Sequence, residues 1–126
     1  MSEGQGAMAP PERAVDLSED ELEAFLHHYD LVVVDCWLDT CKHSRRMLPV
    51  FETVARDNSA RAAFGRVDVR RHYHVPVKFE VKATPTILFF RRGRLVDSLV
   101  GEMSKEELEV AVRHQLDRLG DETAPI

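Results

Sequence analysis

Cysteine is scarce in this chain: two occur in 126 residues, at positions 36 and 41. Two are too few for a disulfide scaffold, and these lie too close together to staple distant elements. Long apolar runs are missing as well. The longest, Leu31–Val34 and Ile87–Phe90, hold four residues each, against the ~18 or more of a membrane helix. Positive charge is not in excess, since 17 Lys and Arg face 22 Asp and Glu for a net charge of −5. That balance argues against nucleic acid held by bulk charge. No Gly-rich phosphate loop leads into Lys-Ser/Thr, and no Gly-x-Ser-x-Gly elbow occurs. The opening Met1-Ser-Glu-Gly4 has neither a basic n-region nor an apolar h-region, so no secretory signal is expected and the expected location is cytoplasmic. Nucleic acid and membrane are not expected partners, and a monomer is expected. A single soluble domain remains, 44% apolar and 31% charged. In such a protein a cysteine is either core filler or chemistry.

The chain reads as alternating elements. Residues 1–13 carry Gly4, Gly6, Pro10 and Pro11 without apolar periodicity, which predicts a disordered tail. Ala14–Leu17 is a candidate short strand. Ser18-Glu-Asp-Glu21 is a capping box, and Leu22, Phe25, Leu26 and Tyr29 follow at helical spacing. Leu31–Trp37 is β-branched and nearly all apolar, the pattern of a strand covered on both faces. A helix is expected from Cys41 to Asp57, with Met47, Val50, Phe51 and Val54 inward and a kink at Pro49. A strand near Ala63–Val69 and a short helix around Arg71–Phe79 come next. Thr86–Phe90 and Leu95–Val100 read as a hairpin across Arg91-Arg-Gly-Arg94. A second capping box, Ser104-Lys-Glu-Glu107, opens a last helix that Gly120 should stop, leaving 120–126 as a tail. This order predicts an α/β domain over 14–119: a mixed central sheet of four to five strands with helices on both faces.

Chemistry concentrates around Cys41. It follows a buried strand and opens a helix, where unpaired N–H groups and the helix dipole favour a thiolate. Lys42, His43, Arg45 and Arg46 stand within five residues and should add positive potential; a thiolate is the nucleophilic form. The plain alternative is a free cysteine that happens to begin a helix. Cys36, mid-strand, reads as a small buried hydrophobe, and a Cys36–Cys41 bridge is not favoured. Asp35 is an ionisable group inside a strand that should be buried, which raises its pKa and suits it to proton relay; an Asp that reaches water at the strand end is the alternative. Thr84-Pro85-Thr86 leads into a strand, and the sequence alone does not select a cis bond there. His72 and His74 could share a strand face, but metal sites need more converging ligands, so no metal and no cofactor is expected. Arg66, Arg70, Arg71, Arg91, Arg92 and Arg94 are expected to be solvated, with some lining an edge that favours acidic partners.

Asp35-Cys-Trp37, the helix-opening Cys41, Pro49, Thr84-Pro85-Thr86 and Val100-Gly101, taken in order, resemble thioredoxin from about Ala14 to Leu119. The resemblance implies the thioredoxin fold, a cis bond before Pro85 facing Cys41, and Asp35 buried beneath the site. It also implies a substrate groove shaped by Thr84 and Pro85, with Trp37, Thr40, Lys42, His43 and Gly101 around it. The departures are specific. Where thioredoxins carry Trp-Cys-Gly-Pro-Cys-Lys, this chain has Thr40-Cys41-Lys42-His43-Ser44-Arg45. The nucleophile is kept and the resolving cysteine is Ser44.

A dithiol enzyme attacks with one thiol and resolves with the second. Ser44 cannot form a disulfide but can donate a hydrogen bond to Cys41. The first expectation is therefore a monothiol thioredoxin-like protein performing thiol–disulfide exchange in redox homeostasis, of oxidoreductase, isomerase or deglutathionylase type. Cys41 would be the nucleophile, aided by Ser44 and Asp35. Its partners would be protein disulfides or thiols, with an external thiol such as glutathione resolving the adduct. The alternative is a redox-inactive thioredoxin-fold scaffold that binds a protein partner at the Cys41/Pro85 face.

Overall fold

The computed structural model describes residues 10–123. Residues 10–14 carry no regular structure, and the rest of the expected N-terminal tail lies outside the described residues. The elements are β1 (Val15–Asp16), α1 (Glu19–His28), β2 (Leu31–Trp37), α2 (Lys42–Asp57), β3 (Ala63–Asp68), α3 (His74–Lys78), β4 (Thr86–Arg91), β5 (Arg94–Val100) and α4 (Lys105–Thr123).

One sheet has the order β1-β3-β2-β4-β5. β3 is parallel to β1 and β2, whereas β4 is antiparallel to both β2 and β5. The parallel step from β2 to β3 requires a crossover, which α2 supplies. Because side chains alternate across a strand, β2 serves two cores. Leu31 and Val33 pack with Met47, Phe51 and Val54 of α2 and Leu108 and Val112 of α4. Val32, Val34 and Cys36 pack on the other face with Leu22 of α1 and Val75 of α3. The central position of β2 thus explains its near-continuous apolar sequence.

Local signals account for most element boundaries. In both capping boxes the serine hydroxyl accepts the amide of the glutamate three residues on, and that glutamate accepts the serine amide. Three expectations need correction. Gly120 does not stop α4, which continues to Thr123; the stripe of Leu108, Val112 and Leu116 already anchors the helix, and one glycine costs a helix only ~1 kcal/mol. The hairpin loop is two residues, Arg92-Gly93, both at positive φ (50° and 83°), as the tightest hairpin turn requires. His72 and His74 share no strand; His72 lies in a turn and His74 opens α3. Pro49 lies within α2, which runs unbroken.

Candidate functional site

β2 ends at Trp37, and a turn in which the Cys41 amide donates to the Leu38 carbonyl (3.0 Å) carries the chain to α2. Cys41 is the N-cap of α2, with no hydrogen bond from its side chain to the helix backbone. Its sulfur is half-buried and lies 3.4 Å from the Thr84 carbonyl oxygen. The Thr84–Pro85 peptide is cis. Pro85 is held in turn by the Gly101 amide, which donates to its carbonyl (2.8 Å). Residues from β2–α2, the β4 entry and the β5 exit therefore meet at one end of the sheet.

The thiol pKa is lowered to about 7. Its causes are, first, the Thr84 side chain, then the Ser44 amide, the Ser44 hydroxyl and the His43 amide, with partial burial opposing; the two amides act through the positive end of the helix, since neither forms a cap hydrogen bond with the Cys41 side chain. The protonated sulfur can donate to the Thr84 carbonyl, which favours the thiol. Four donors favour the thiolate, and they prevail. Ser44 is 2% exposed; its oxygen accepts the Leu38 amide at 3.3 Å, which leaves its proton for the sulfur. Three of the four basic side chains expected to lower the pKa are engaged elsewhere. His43 Nδ1 is 2.9 Å from Glu102 Oε1, Arg46 is 3.9 Å from the same oxygen, and Arg45 donates to the Asp39 carbonyl. The helix N-terminus and the hydroxyls, rather than cationic neighbours, favour the anion.

Asp35 is fully buried, on the α2/α4 face by strand alternation. Neither carboxyl oxygen has a hydrogen-bond partner. Desolvation raises its pKa to about 7, opposed by Arg66 and reinforced by Glu52. Arg66 stands directly opposite Asp35 in the β2–β3 register, and opposite Asp16 in the β1–β3 register. Its guanidinium lies 3.9 Å from Asp35, 3.2 Å from Asp16 and 4.7 Å from the Trp37 ring centre. The expectation that Arg66 is solvated is thus overturned: its side chain is 12% exposed, because strand alternation turns it to the same face as Phe64. A charged residue inside an apolar strand was the signal, the same one that singled out Asp35. Arg91 is likewise 12% exposed and pairs with Glu122.

Cys36 is buried on the opposite core face, and burial followed by the Asp35 charge pushes its pKa to about 12. Both cysteines are free. Thr40, Lys42 and His43 are exposed beside Cys41. The Thr40 hydroxyl accepts from Arg70 at 3.4 Å. Glu102, which fixes His43, had no signal in local sequence because 59 positions separate the pair. A cleft of about 440 Å³ between α1 and α3 contains none of these residues; Leu22, Leu26, Val75 and Phe79 are among those lining it.

The sequence model of the family described as Thioredoxin matches residues 13–114. The thioredoxin of Mycoplasmoides gallisepticum is 33% identical over 89 residues, covering 71% of this chain and 88% of the relative. The thioredoxin of Staphylococcus saprophyticus is 36% identical over 83 residues, 65% and 80% of the two chains. A solved mutant thioredoxin from Halobacterium salinarum has a TM-score of 0.79 at 25% identity, covering 85% of this chain and 94% of that one. Five strands in this order, a cysteine at the N-cap of α2 facing a cis-proline loop, and these matches together place the chain in the thioredoxin family.

Proposed function

We propose that the chain performs thiol–disulfide exchange on protein disulfides or thiols with Cys41 as its only redox-active sulfur, and that an external thiol resolves the adduct. The observation that carries this reading is the half-exposed Cys41 sulfur, its pKa lowered to about 7 by donors from Thr84, Ser44 and His43. At neutral pH about half of such a thiol is ionised, against a few per cent for an ordinary one.

In the first step the Cys41 thiolate attacks one sulfur of R–S–S–R′. The Cys41–S–S–R bond forms, the substrate S–S bond breaks, and R′–S⁻ leaves to take a proton from solvent. In the second step an external thiolate, from a small thiol such as glutathione or from a protein, attacks the R sulfur and Cys41 leaves as thiolate. Cys41 gains and loses no electrons over the cycle. Ser44 cannot supply the second step; it donates its hydroxyl proton to the anion in both resting and leaving states. Cys36 lies on the far side of the sheet, and its high pKa unfits it for resolution. Asp35 has no hydrogen bond to Cys41 or Ser44, so proton transfer involving it needs an intervening water.

Incubation with a small symmetrical disulfide should add one half-molecule, at Cys41, by intact mass and peptide mapping, and dithiothreitol should remove it. A rate no greater than that of free cysteine at the same pH would favour the non-redox scaffold instead.

A further inference from the structure

Resting on the exchange reading, we infer that the Cys41 face selects disulfides flanked by carboxylates: an acidic extended segment seated beside the Thr84 backbone between Lys42, Arg70 and Lys82. The chain as a whole is acidic, with net charge −5, so a cation-rich rim around the reactive sulfur is a local reversal. Three separate segments supply it. Lys42 opens α2 next to Cys41. Arg70, in the loop after β3, is tied to Thr40, the residue preceding Cys41, at 3.4 Å. Lys82 is exposed two positions before Thr84, whose carbonyl lies 3.4 Å from the sulfur.

Among the described residues none of these three is in an ion pair, whereas other basic side chains near the site are committed: His43 and Arg46 to Glu102, Arg45 to the Asp39 carbonyl. The negative groups on the same elements are fewer and partly occupied. Glu102 holds His43 and Arg46, and Asp68 accepts the amides of Arg70 and Arg71; Asp39 is exposed beside them. On these segments six Lys and Arg (Lys42, Arg45, Arg46, Arg70, Arg71 and Lys82) stand against the four carboxylates Asp39, Asp68, Glu80 and Glu102, a local excess of positive charge.

The residues flanking the sulfur in sequence are polar. Thr40 carries no ring, and Lys42 and His43 are exposed beside Cys41. Charge at such a rim acts on the encounter rate and on wrong partners more than on total affinity.

The test uses the full chain and short peptides whose single cysteine carries a thiopyridyl cap, flanked either by Glu or by Gln. Attack by Cys41 on the peptide sulfur releases pyridine-2-thione, read by absorbance, so the leaving group is constant. The Glu-flanked peptide should react about tenfold faster at low ionic strength, with the advantage shrinking as salt is added. In an Arg70→Gln, Lys82→Gln double variant the Glu-to-Gln rate ratio should fall towards one. Circular dichroism checks that the variant is folded; if it is not, Lys82→Gln alone, at an exposed loop position, gives the same readout. Glutathione bearing the same cap forms a third arm: faster reaction than the Glu peptide assigns the rim to a small acidic thiol, slower reaction to an acidic protein segment. Equal rates for Glu and Gln peptides in the wild type, or an unchanged ratio in the variant, would overturn the inference while leaving exchange intact. No reaction with either peptide above that of free cysteine overturns the exchange reading and this inference with it.

Discussion

Replacing Asp35 with asparagine should stabilise the protein at neutral and alkaline pH and leave it little changed in acid. The carboxyl sits among apolar side chains with no hydrogen bond to either oxygen. Its pKa rises from an ordinary 3.8 to about 7, chiefly by desolvation, with Arg66 at 3.9 Å offsetting part of the cost. Holding the charge in that position therefore costs about 4 kcal/mol relative to the unfolded chain. An acid whose pKa is raised by folding binds more protons folded than unfolded between the two values. Stability should fall as pH rises from about 4 to about 7, then level off. Asparagine has the same shape and no charge. Its amide is also buried without a partner, but that penalty is the same at every pH. The difference in unfolding free energy, variant minus wild type, should grow by about 3 kcal/mol between pH 4.5 and 8. Urea titrations across that range, with m-values checked for constancy, measure it directly. Other titrating groups cancel in the difference. A difference independent of pH would refute the assignment of a costly, only partly compensated charge to this position.

Other perturbations separate the contributions at the site. Ser44→Ala removes one donor to the sulfur and should move the midpoint of Cys41 alkylation by iodoacetamide upward from about 7; an unchanged midpoint would show that the hydroxyl does not reach the anion. Ser44→Cys should give an internal disulfide on mild oxidation, read as the loss of two hydrogens by intact mass, and turnover of protein disulfides with a dithiol reductant. Failure to close that bridge would refute the shared placement of positions 41 and 44. Gly65→Ala should lower stability by about 1–3 kcal/mol in urea titration, because a Cβ there overlaps Leu17 Cδ1 and approaches the Val15 carbonyl; a neutral effect would mean that Leu17 repacks freely.

Features set by short-range chemistry were readable from residues alone. The capping boxes at Ser18 and Ser104, the buried run Leu31–Val34 and the helix-opening Cys41 each depend on spacing within a few positions. The features that escaped depend on register. Arg66 becomes a buried partner of Asp35 only because β3 aligns with both β1 and β2, which places Asp16, Arg66 and Asp35 in one row across three strands. Counting arginines as solvated fails where alternation turns one inward. The source of the lowered Cys41 pKa was misjudged for a related reason. Sequence proximity put Lys42, His43, Arg45 and Arg46 beside the sulfur, but Glu102 and the Asp39 carbonyl draw three of them away, and Thr84, 43 positions distant, supplies the largest effect.

A thiol pKa near 7 has consequences in both directions of the proposed exchange. Attack is fastest when the thiol pKa lies near ambient pH, because a lower value adds little anion and costs nucleophilicity. The same lowering makes Cys41 a better leaving group than an ordinary thiol of pKa ~8.5. In a Cys41–S–S–R adduct an incoming thiolate thus finds the R sulfur the easier target, since cleavage there expels the more stable anion. The R group passes to the external thiol and Cys41 is regenerated. A resolving cysteine at position 44 would direct the cycle instead towards release of R as a free thiol and net reduction. With serine there, the donor that steadies the departing anion remains and the competing nucleophile is gone. Under the proposed exchange the site would therefore favour transferring a sulfur partner from one thiol to another, the chemistry of isomerisation and of removing small-thiol caps.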